Sequence, residues 1–380
     1  LGDVARPRDA DADLLRDVPV RQVAIPSEPS IDVPAAGTLP PVLSTLPVRD
    51  VWDDSRKVQA GDLFVALPGQ TVDGHDFVAA AAERGAVAAI VEHPVPVPIP
   101  QLCVENAARA LATIAANRYG RPADALTIVA VTGTNGKTTT THLIEGLLEE
   151  AGFPTGVIGT IAYRLRAQSW PAPFTTPTAV ILQQTLAQMR DLGAKAIAIE
   201  ASSHALALDR LTGVRCRVAA FTNLTQDHLD FHADMEDYFA AKARLFHAHL
   251  LPTEQGGRGV IFVDDPYGRR LADTLPAERR LTVSLSPSTG TADIWPVSER
   301  QTLEGTVATF ASPAGEVTVQ SRLTGRFNLA NLAVGVGIGV ALGLSPQVIA
   351  RGLARVEGVA GRLERIVPPR PPTASSTALP

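Results

Sequence analysis

Cysteine is nearly absent: Cys103 and Cys216 are the only two in 380 residues. That rules out a disulfide framework or a cysteine metal cluster, and both residues read as small buried hydrophobes. Basic excess is also missing. Lys and Arg number 34 against 39 Asp and Glu, a net charge of −5, so there is no electrostatic case for nucleic acid. No run of eighteen apolar residues occurs, which leaves no candidate transmembrane helix. The first residues are acidic and lack the apolar core of a signal peptide, so a cytoplasmic protein is expected. What is plentiful is apolar residues, 45% of the chain, enough for two or three domains. Proline is also plentiful, and much of it falls in the first hundred residues and the last fifteen.

The stretch from Ile128 to Thr141 organises the chain. Gly133-Thr-Asn-Gly-Lys-Thr138 is the core of a P-loop, although the first glycine of the strict G-x-x-x-x-G-K-[ST] pattern has no counterpart. The apolar run 126–131 before it reads as a buried parallel strand. After it, Leu143, Ile144, Leu147, Leu148 and Ala151 mark one helix face, closed by Gly152. Strand, glycine loop and helix together aim free N–H groups and a helix dipole at a phosphate. Lys137 would reach the β- and γ-phosphates, and Thr138 would hold Mg2+.

The pattern predicts a loosely ordered lead-in over 1–46 with one short helix, then strands at 61–67 and 86–91 around a helix at 76–84. A further helix is expected from Asn106 to Tyr119. Past the P-loop helix, strands are expected at 156–161, 196–199, 218–222 and 260–263. Between them lie a helix capped by Thr176 with Pro177 at its first position, its apolar face Leu182, Leu186 and Met189, and a helix over 236–250. This alternation argues an α/β protein: a small N-terminal α/β domain, then a central P-loop domain with a mainly parallel sheet. Ligands then bind beyond the carboxyl ends of the strands, where Glu200, His204, Asn223 and His228 fall. Residues 281–322 read as antiparallel, Asn328–Leu342 as an apolar, Gly-rich helix, and Ser345 as the cap of another. The tail after Arg365 is low-complexity Pro, Ser and Thr.

Phosphoryl transfer needs Mg2+ ligands and charge stabilisers beyond the loop. Glu200, at a strand end, suits Mg2+ or a bridging water; a solvated loop acid is the alternative. Lys242 shares its helix stripe with Phe239, Leu245 and Phe246, while Asp237 and Arg244 face away. It is either a snorkelling lysine at the stripe's edge or a desolvated lysine held at the site. In the second case its neutral amine can take up CO2 and become a carbamate, a carboxylate ligand for a second Mg2+.

These residues resemble the Mur ligases. Thr132-Gly-Thr-Asn-Gly-Lys-Thr-Thr139 is similar to their nucleotide motif. Thr175-Thr-Pro177, Glu200-Ala-Ser-Ser-His204 with Arg210, the run Thr222–His232 and Tyr238-Phe-Ala-Ala-Lys-Ala-Arg244 look like the MurE branch. That branch adds the third stem-peptide residue to UDP-N-acetylmuramoyl-L-alanyl-D-glutamate. Asp54-Ser-Arg56 and the 61–67 strand are similar to its UDP-binding domain, Gly325-Arg-Phe-Asn328 and Gly361-Arg-Leu-Glu364 to the end of its central domain. The resemblance covers about residues 48–366.

It implies a UDP-binding domain over 47–102, a central ATP-binding domain over 103–362 and a disordered tail over 363–380. The nucleotide would lie on Gly133, Thr134, Asn135, Gly136, Lys137, Thr138 and Thr139, with Asn328 near the adenine. Ser55 and the Gln70-Thr71-Val72 turn, where members often carry His-Gln-Ala, would contact uridine. Thr175, Thr176, Ser202 and Arg210 would hold the muramyl dipeptide; Leu208 replaces a substrate-binding Gln of some members and is left out. Thr138 and Glu200 would bind one Mg2+, His228 and carbamylated Lys242 (N6-carboxylysine) the other. Lys137, His228 and Lys242 would be the catalytic set. The implied reaction is ATP-dependent amide formation through an acyl phosphate, in a monomeric enzyme using diaminopimelate, lysine or ornithine. The match ends after Arg365, so the family's third, Rossmann-like domain is expected to be absent and turnover impaired. The competing readings are a non-catalytic binding fragment and a folate-type ligase; the latter leaves Asp54-Ser-Arg56 and Ser202-Ser-His204 unexplained.

Overall fold

A computed structural model describes residues 14–24, 31–32, 47–69, 72–286, 292–359 and 361–362. The expected tail over 363–380, and Gln70 and Thr71 of the uridine turn, lie outside the described residues. Nothing in the described part is a helix long and apolar enough to cross a membrane.

The N-terminal unit is built on a six-stranded sheet in the order β2-β1-β6-β5-β4-β3. Its strands are β1 (Val20–Ala24), β2 (Ile31–Asp32), β3 (Val51–Trp52), β4 (Leu63–Val65), β5 (Ala88–Val91) and β6 (Gln101–Val104). Strands β3 to β6 run parallel, and β1 adds antiparallel to β6. The stretch expected to be a loose lead-in therefore contributes a strand. A bulge between Val20 and Gln22 breaks the period-2 alternation that would have revealed it, leaving Val20 and Val23 as its buried residues. Helix α1 (Val78–Glu83) follows a 3-10 turn, and α2 (Ala107–Arg118) is capped by Asn106 Oδ1 accepting from Arg109 N–H at 2.7 Å. Ala107, Ala110, Leu111 and Ile114 of α2 pack into the same core as Val51, Leu63 and Ile90. The domain edge expected at 102/103 thus cuts through β6, and the unit continues through α2.

The central unit carries an eight-stranded sheet, β10-β9-β8-β11-β7-β12-β13-β14. It comprises β7 (Thr127–Thr132), β8 (Thr155–Ile158), β9 (Tyr163–Leu165), β10 (Gln168–Trp170), β11 (Ala196–Glu200), β12 (Val218–Phe221), β13 (Arg258–Phe262) and β14 (Arg280–Val283). Six strands are parallel and the β9–β10 hairpin is antiparallel at one edge. Alternate residues of β7 serve the two faces. Val129 and Val131 pack with α3 (Lys137–Glu150) and α8 (Arg326–Ala341); Ile128 and Ala130 pack with α4 (Ala179–Asp191) and α6 (Met235–Arg244). Both faces are covered, so the strands read as continuous apolar runs. The remaining helices are α5 (Ser203–Ala207), α7 (Pro266–Asp273) and α9 (Pro346–Ala354). The glycines of α8 admit close packing: a Cβ on Gly337 would stand 2.7 Å from Val260 Cγ1, and one on Gly335 2.7 Å from Leu353 Cδ2.

Three expectations change here. The helix expected to be capped by Thr176 begins at Ala179 with Thr178 as N-cap and no side-chain capping bond, because the Thr176 hydroxyl is committed elsewhere. The 236–250 helix ends at Arg244 and passes into a π-helical turn, Leu245–His249, whose wider path presents the His249 carbonyl to Cys216 N–H at 2.8 Å. Residues 281–322 are not uniformly antiparallel: β14 is a parallel edge strand, and β15 (Trp295–Thr302), β16 (Gly305–Ala311) and β17 (Val317–Ser321) form a separate antiparallel sheet.

Candidate active site at the carboxyl rim of the central sheet

β7, β11 and β12 lie side by side and end on one rim, and the chain's order reverses around β7. The P-loop leaves β7 there and enters α3. Gly133 has φ +149 and Gly136 φ +88. A Cβ on Gly133 would fall 2.0 Å from Thr222 Oγ1, and one on Gly136 2.5 Å from Asn331 Oδ1. The loop therefore needs glycine for backbone angle and for space. The segment after β12 laces it in place: Thr134 N–H donates to Asn223 O (2.9 Å), Asn135 N–H to Asn223 Oδ1 (3.0 Å), and Thr222 Oγ1 to Asn135 O (2.6 Å).

Lys137 curls over its own loop, donating to Gly133 O at 3.0 Å and Thr134 O at 2.9 Å. Burial pushes its pKa down, against the pull of Glu200 and Asp227. Thr138 Oγ1 donates to Glu200 Oε2 at 3.1 Å. Glu200 is 1% exposed and its other contacts come from Thr160, through N–H to Oε1 (3.0 Å) and Oγ1 to Oε2 (3.0 Å). Glu200 is thus no solvated loop acid. Thr160 was not singled out from sequence; its place just past the end of β8 on the same rim was the available signal.

Lys242 is 1% exposed, so it is not a snorkelling lysine. Its Nζ donates to Gly133 O at 3.0 Å, the carbonyl that Lys137 also uses, and lies 4.4 Å from the Tyr238 ring centroid. No carboxylate reaches ion-pair distance of it among the described residues. Burial first, then repulsion from Lys137, holds its pKa well below the ordinary lysine value. Tyr238 links this group to the loop through a 3.2 Å hydroxyl bond with Thr134 Oγ1. The His228 ring lies edge-on to Tyr238, centroids 6.0 Å apart, and the residue has φ +54 and an edge-on contact to His204 at 4.9 Å.

Thr176 Oγ1 donates to Glu200 O (2.7 Å) and accepts from Ser202 N–H (3.0 Å); Ser202 Oγ caps α5. Thr175 Oγ1 lies 3.1 Å from Thr160 Oγ1. Arg210 donates to Thr176 O at 3.3 Å and sits over the Phe174 ring. Burial lowers its pKa, with Asp53 of the N-terminal unit opposing. Ser55 lies two residues past Asp53, on the 3-10 turn Ser55–Lys57 capped by Asp54. On the other side of the loop a cleft of about 870 Å3 runs along Gly136, Thr139, Asp265, Phe327, Asn328 and Asn331. Asn328 is held by Nδ2 donating to Thr324 O (2.8 Å) and Oδ1 accepting from Asn331 Nδ2 (3.3 Å).

Among the described residues no three His, Cys, Asp or Glu side chains cluster as metal ligands. The Thr138 hydroxyl against the buried Glu200 carboxylate does fit a hard divalent cation, which prefers such oxygens. His228 and Lys242 do not fit a second one as they stand, because an ammonium repels a cation.

The family model for the Mur ligase middle domain matches residues 131–339, more than half of the chain. The chain belongs to the Mur ligase family. A second Mur ligase model, described as the family's catalytic domain, matches 51–119. The UDP-N-acetylmuramoyl-L-alanyl-D-glutamate--2,6-diaminopimelate ligase of Geobacter metallireducens is 46% identical over 327 residues, covering 84% of this chain and 63% of that protein. This Mur ligase chain thus spans less than two thirds of that relative's length. A solved structure of a UDP-N-acetylmuramoyl-L-alanyl-D-glutamate--2,6-diaminopimelate ligase superposes with TM-score 0.72 at 31% identity, over 84% of this chain and 65% of that one. The apo form of L. casei FPGS has TM-score 0.55 at 16% identity, over 68% and 69%, a likeness of fold alone.

Proposed function

We propose that this Mur ligase chain is the ATP- and UDP-sugar-binding part of a cytoplasmic, monomeric ligase of MurE type. The full enzyme adds diaminopimelate, the amino acid in its relatives' names, to UDP-N-acetylmuramoyl-L-alanyl-D-glutamate. The observation that carries the reading is Lys242: a fully buried amine with no carboxylate at ion-pair distance among the described residues, seated on the P-loop carbonyl of Gly133 beside Lys137. Structural lysines are rarely buried so without a counter-charge. A lysine that becomes a carbamate gains its negative charge on the spot.

ATP lies with its phosphates on the 133–138 loop and its base in the cleft by Asn328. Phosphate oxygens take over the donors that Lys137 now spends on Gly133 O and Thr134 O. Ser55, Thr175, Thr176, Ser202 and Arg210 cradle the UDP-sugar dipeptide, with Arg210 giving the guanidinium that a carboxylate or phosphate requires. The D-Glu side-chain carboxylate attacks the γ-phosphate to give an acyl phosphate, and the incoming amine displaces phosphate to form the amide. Thr138 and Glu200 would hold Mg2+, and only carbamylation of Lys242 would give His228 a carboxylate partner for a second ion; the metal would supply charge neutralisation at the transferring phosphoryl group. Positioning and charge stabilisation are the protein's share.

The test is 13C NMR of the chain equilibrated with labelled bicarbonate. A carbamate resonance that disappears in Lys242→Met supports the reading. Its absence at saturating bicarbonate, or calorimetry showing no binding of UDP-N-acetylmuramoyl-L-alanyl-D-glutamate, sinks it.

A further inference from the structure

Asp209 is a charged residue that the reaction does not use, yet it is 4% exposed and holds a left-handed backbone, φ +52. Its two oxygens serve two separate helices. Oδ2 accepts from Asn106 Nδ2 at 3.2 Å, and Oδ1 lies 3.7 Å from Arg109 Nε; these are the cap and first turn of α2. Oδ1 also pairs with the Arg244 guanidinium, two residues after Lys242 in α6, whose Nη1 donates to Ala207 O at 3.2 Å. The next residue in the chain is Arg210.

We propose that Asp209 is a positioning residue, a single buried carboxylate that ties the N-terminal unit to Arg210 and to the Lys242 helix. The physical argument has two parts. The left-handed backbone at 209 turns the chain after α5, which aims Arg210 across Phe174 toward Thr176 and within the field of Asp53. Only glycine, asparagine and aspartate adopt that conformation readily. The charge then anchors the turn. Two arginines from different elements converge on one desolvated carboxylate, so α2, whose buried face belongs to the N-terminal core, cannot shift without moving the turn and α6. Under the proposed function, the uridine end of the substrate lies on the N-terminal unit and its dipeptide end at Arg210. Asp209 therefore sets the spacing of the two ends of the cradle, and this use of it rests on that reading.

Asp209→Asn isolates the charge, because Asn tolerates the same backbone. Binding of UDP-N-acetylmuramoyl-L-alanyl-D-glutamate, followed by calorimetry, should weaken by about tenfold, a typical coupling between linked sites, with ADP affinity unchanged. Amide hydrogen exchange should rise together in 107–118 and 235–244. Arg109→Ala should shift both readouts the same way by less, Arg109→Lys should recover part of the loss, and Arg109→Ala with Asp209→Asn should be no worse than Asp209→Asn alone. Should Asp209→Asn fail to fold, the Arg109 pair decides, since that side chain is 55% exposed. Unchanged exchange in both helices, equal losses of ADP and UDP-sugar affinity, or additive double-variant losses would each overturn the proposal. A wild-type chain that binds no UDP-sugar dipeptide removes the functional reading, and the exchange experiment still decides whether Asp209 couples the helices.

Discussion

Two buried charges, one in each unit, are treated in opposite ways. In the N-terminal sheet, Asp62 is fully buried and answered: Arg49 grips it through Nε to Oδ1 and Nη2 to Oδ2, both 2.9 Å, and Gln59 N–H adds a third bond at 2.8 Å. On the rim of the central sheet, Lys242 is as buried, and among the described residues its amine meets a carbonyl and an aromatic face but no carboxylate at ion-pair distance. The first charge is spent on holding strand β4 to the segment before β3. The second is left open. A fold that compensates its charge where it needs stability, and withholds compensation from the amine that the proposed function turns into a carbamate, marks its working site by that difference.

The comparison breaks most visibly at the answered pair. Arg49→Ala strands a desolvated carboxylate, and should destabilise the chain by about 3 kcal/mol, the low end for a broken buried pair because Arg49 is itself half-exposed. Urea unfolding with an unchanged slope would measure it; a loss below experimental error would mean Asp62 is hydrated. At the rim, Lys137→Ala should lower ATP affinity by roughly 1.5–3 kcal/mol, the range for hydrogen bonds to a charged group, while leaving the urea midpoint near wild type. Calorimetry giving equal ATP affinity for both proteins would contradict it.

The sign itself should reverse at Lys242. Lys242→Met removes a buried uncompensated amine, so in CO2-free buffer it should be neutral or stabilising by about 1 kcal/mol. Its folded pKa is depressed below 10.5, so between that lowered value and 10.5 the unfolded chain keeps a proton that the folded chain has released. Wild-type stability therefore rises with pH in that window, and the gap to Lys242→Met should close as pH rises. A gap independent of pH would place the proton on Lys242 throughout.

The last effect is confined to acid pH and is expected on α3. His142 is pushed from 6.5 to about 4 by burial and by Arg164. Between those values the unfolded chain holds the extra proton, so stability falls as pH drops from 6.5 toward 4. His142→Gln should flatten that part of the pH–stability curve, seen by thermal unfolding at a series of pH values; an unchanged slope would assign the acid sensitivity to other groups.

The sequence by itself determined the elements whose signal is local. A β-branched run before Gly133-Thr-Asn-Gly-Lys-Thr138, an apolar stripe after it and strands alternating with helices were enough for a covered parallel sheet with its site on one rim. Periodicity also put Lys242 on the buried stripe of its helix, though it left open whether the amine escapes to solvent. Tertiary structure decided the rest, because the deciding partners are far apart in the chain. Lys242 reaches Gly133 across 109 residues, and Thr138 reaches Glu200 across 62. The hydroxyl of Thr176 left its expected cap for the Glu200 carbonyl, since a buried hydroxyl bonds whatever acceptor the fold brings to it. Val20–Ala24 became a strand because β6 offered an edge to pair with, and the bulge in its own pattern had hidden it. Asp209 carried no motif of its own in the sequence; its meaning lies in Asn106, Arg109 and Arg244, which only folding brings to one carboxylate.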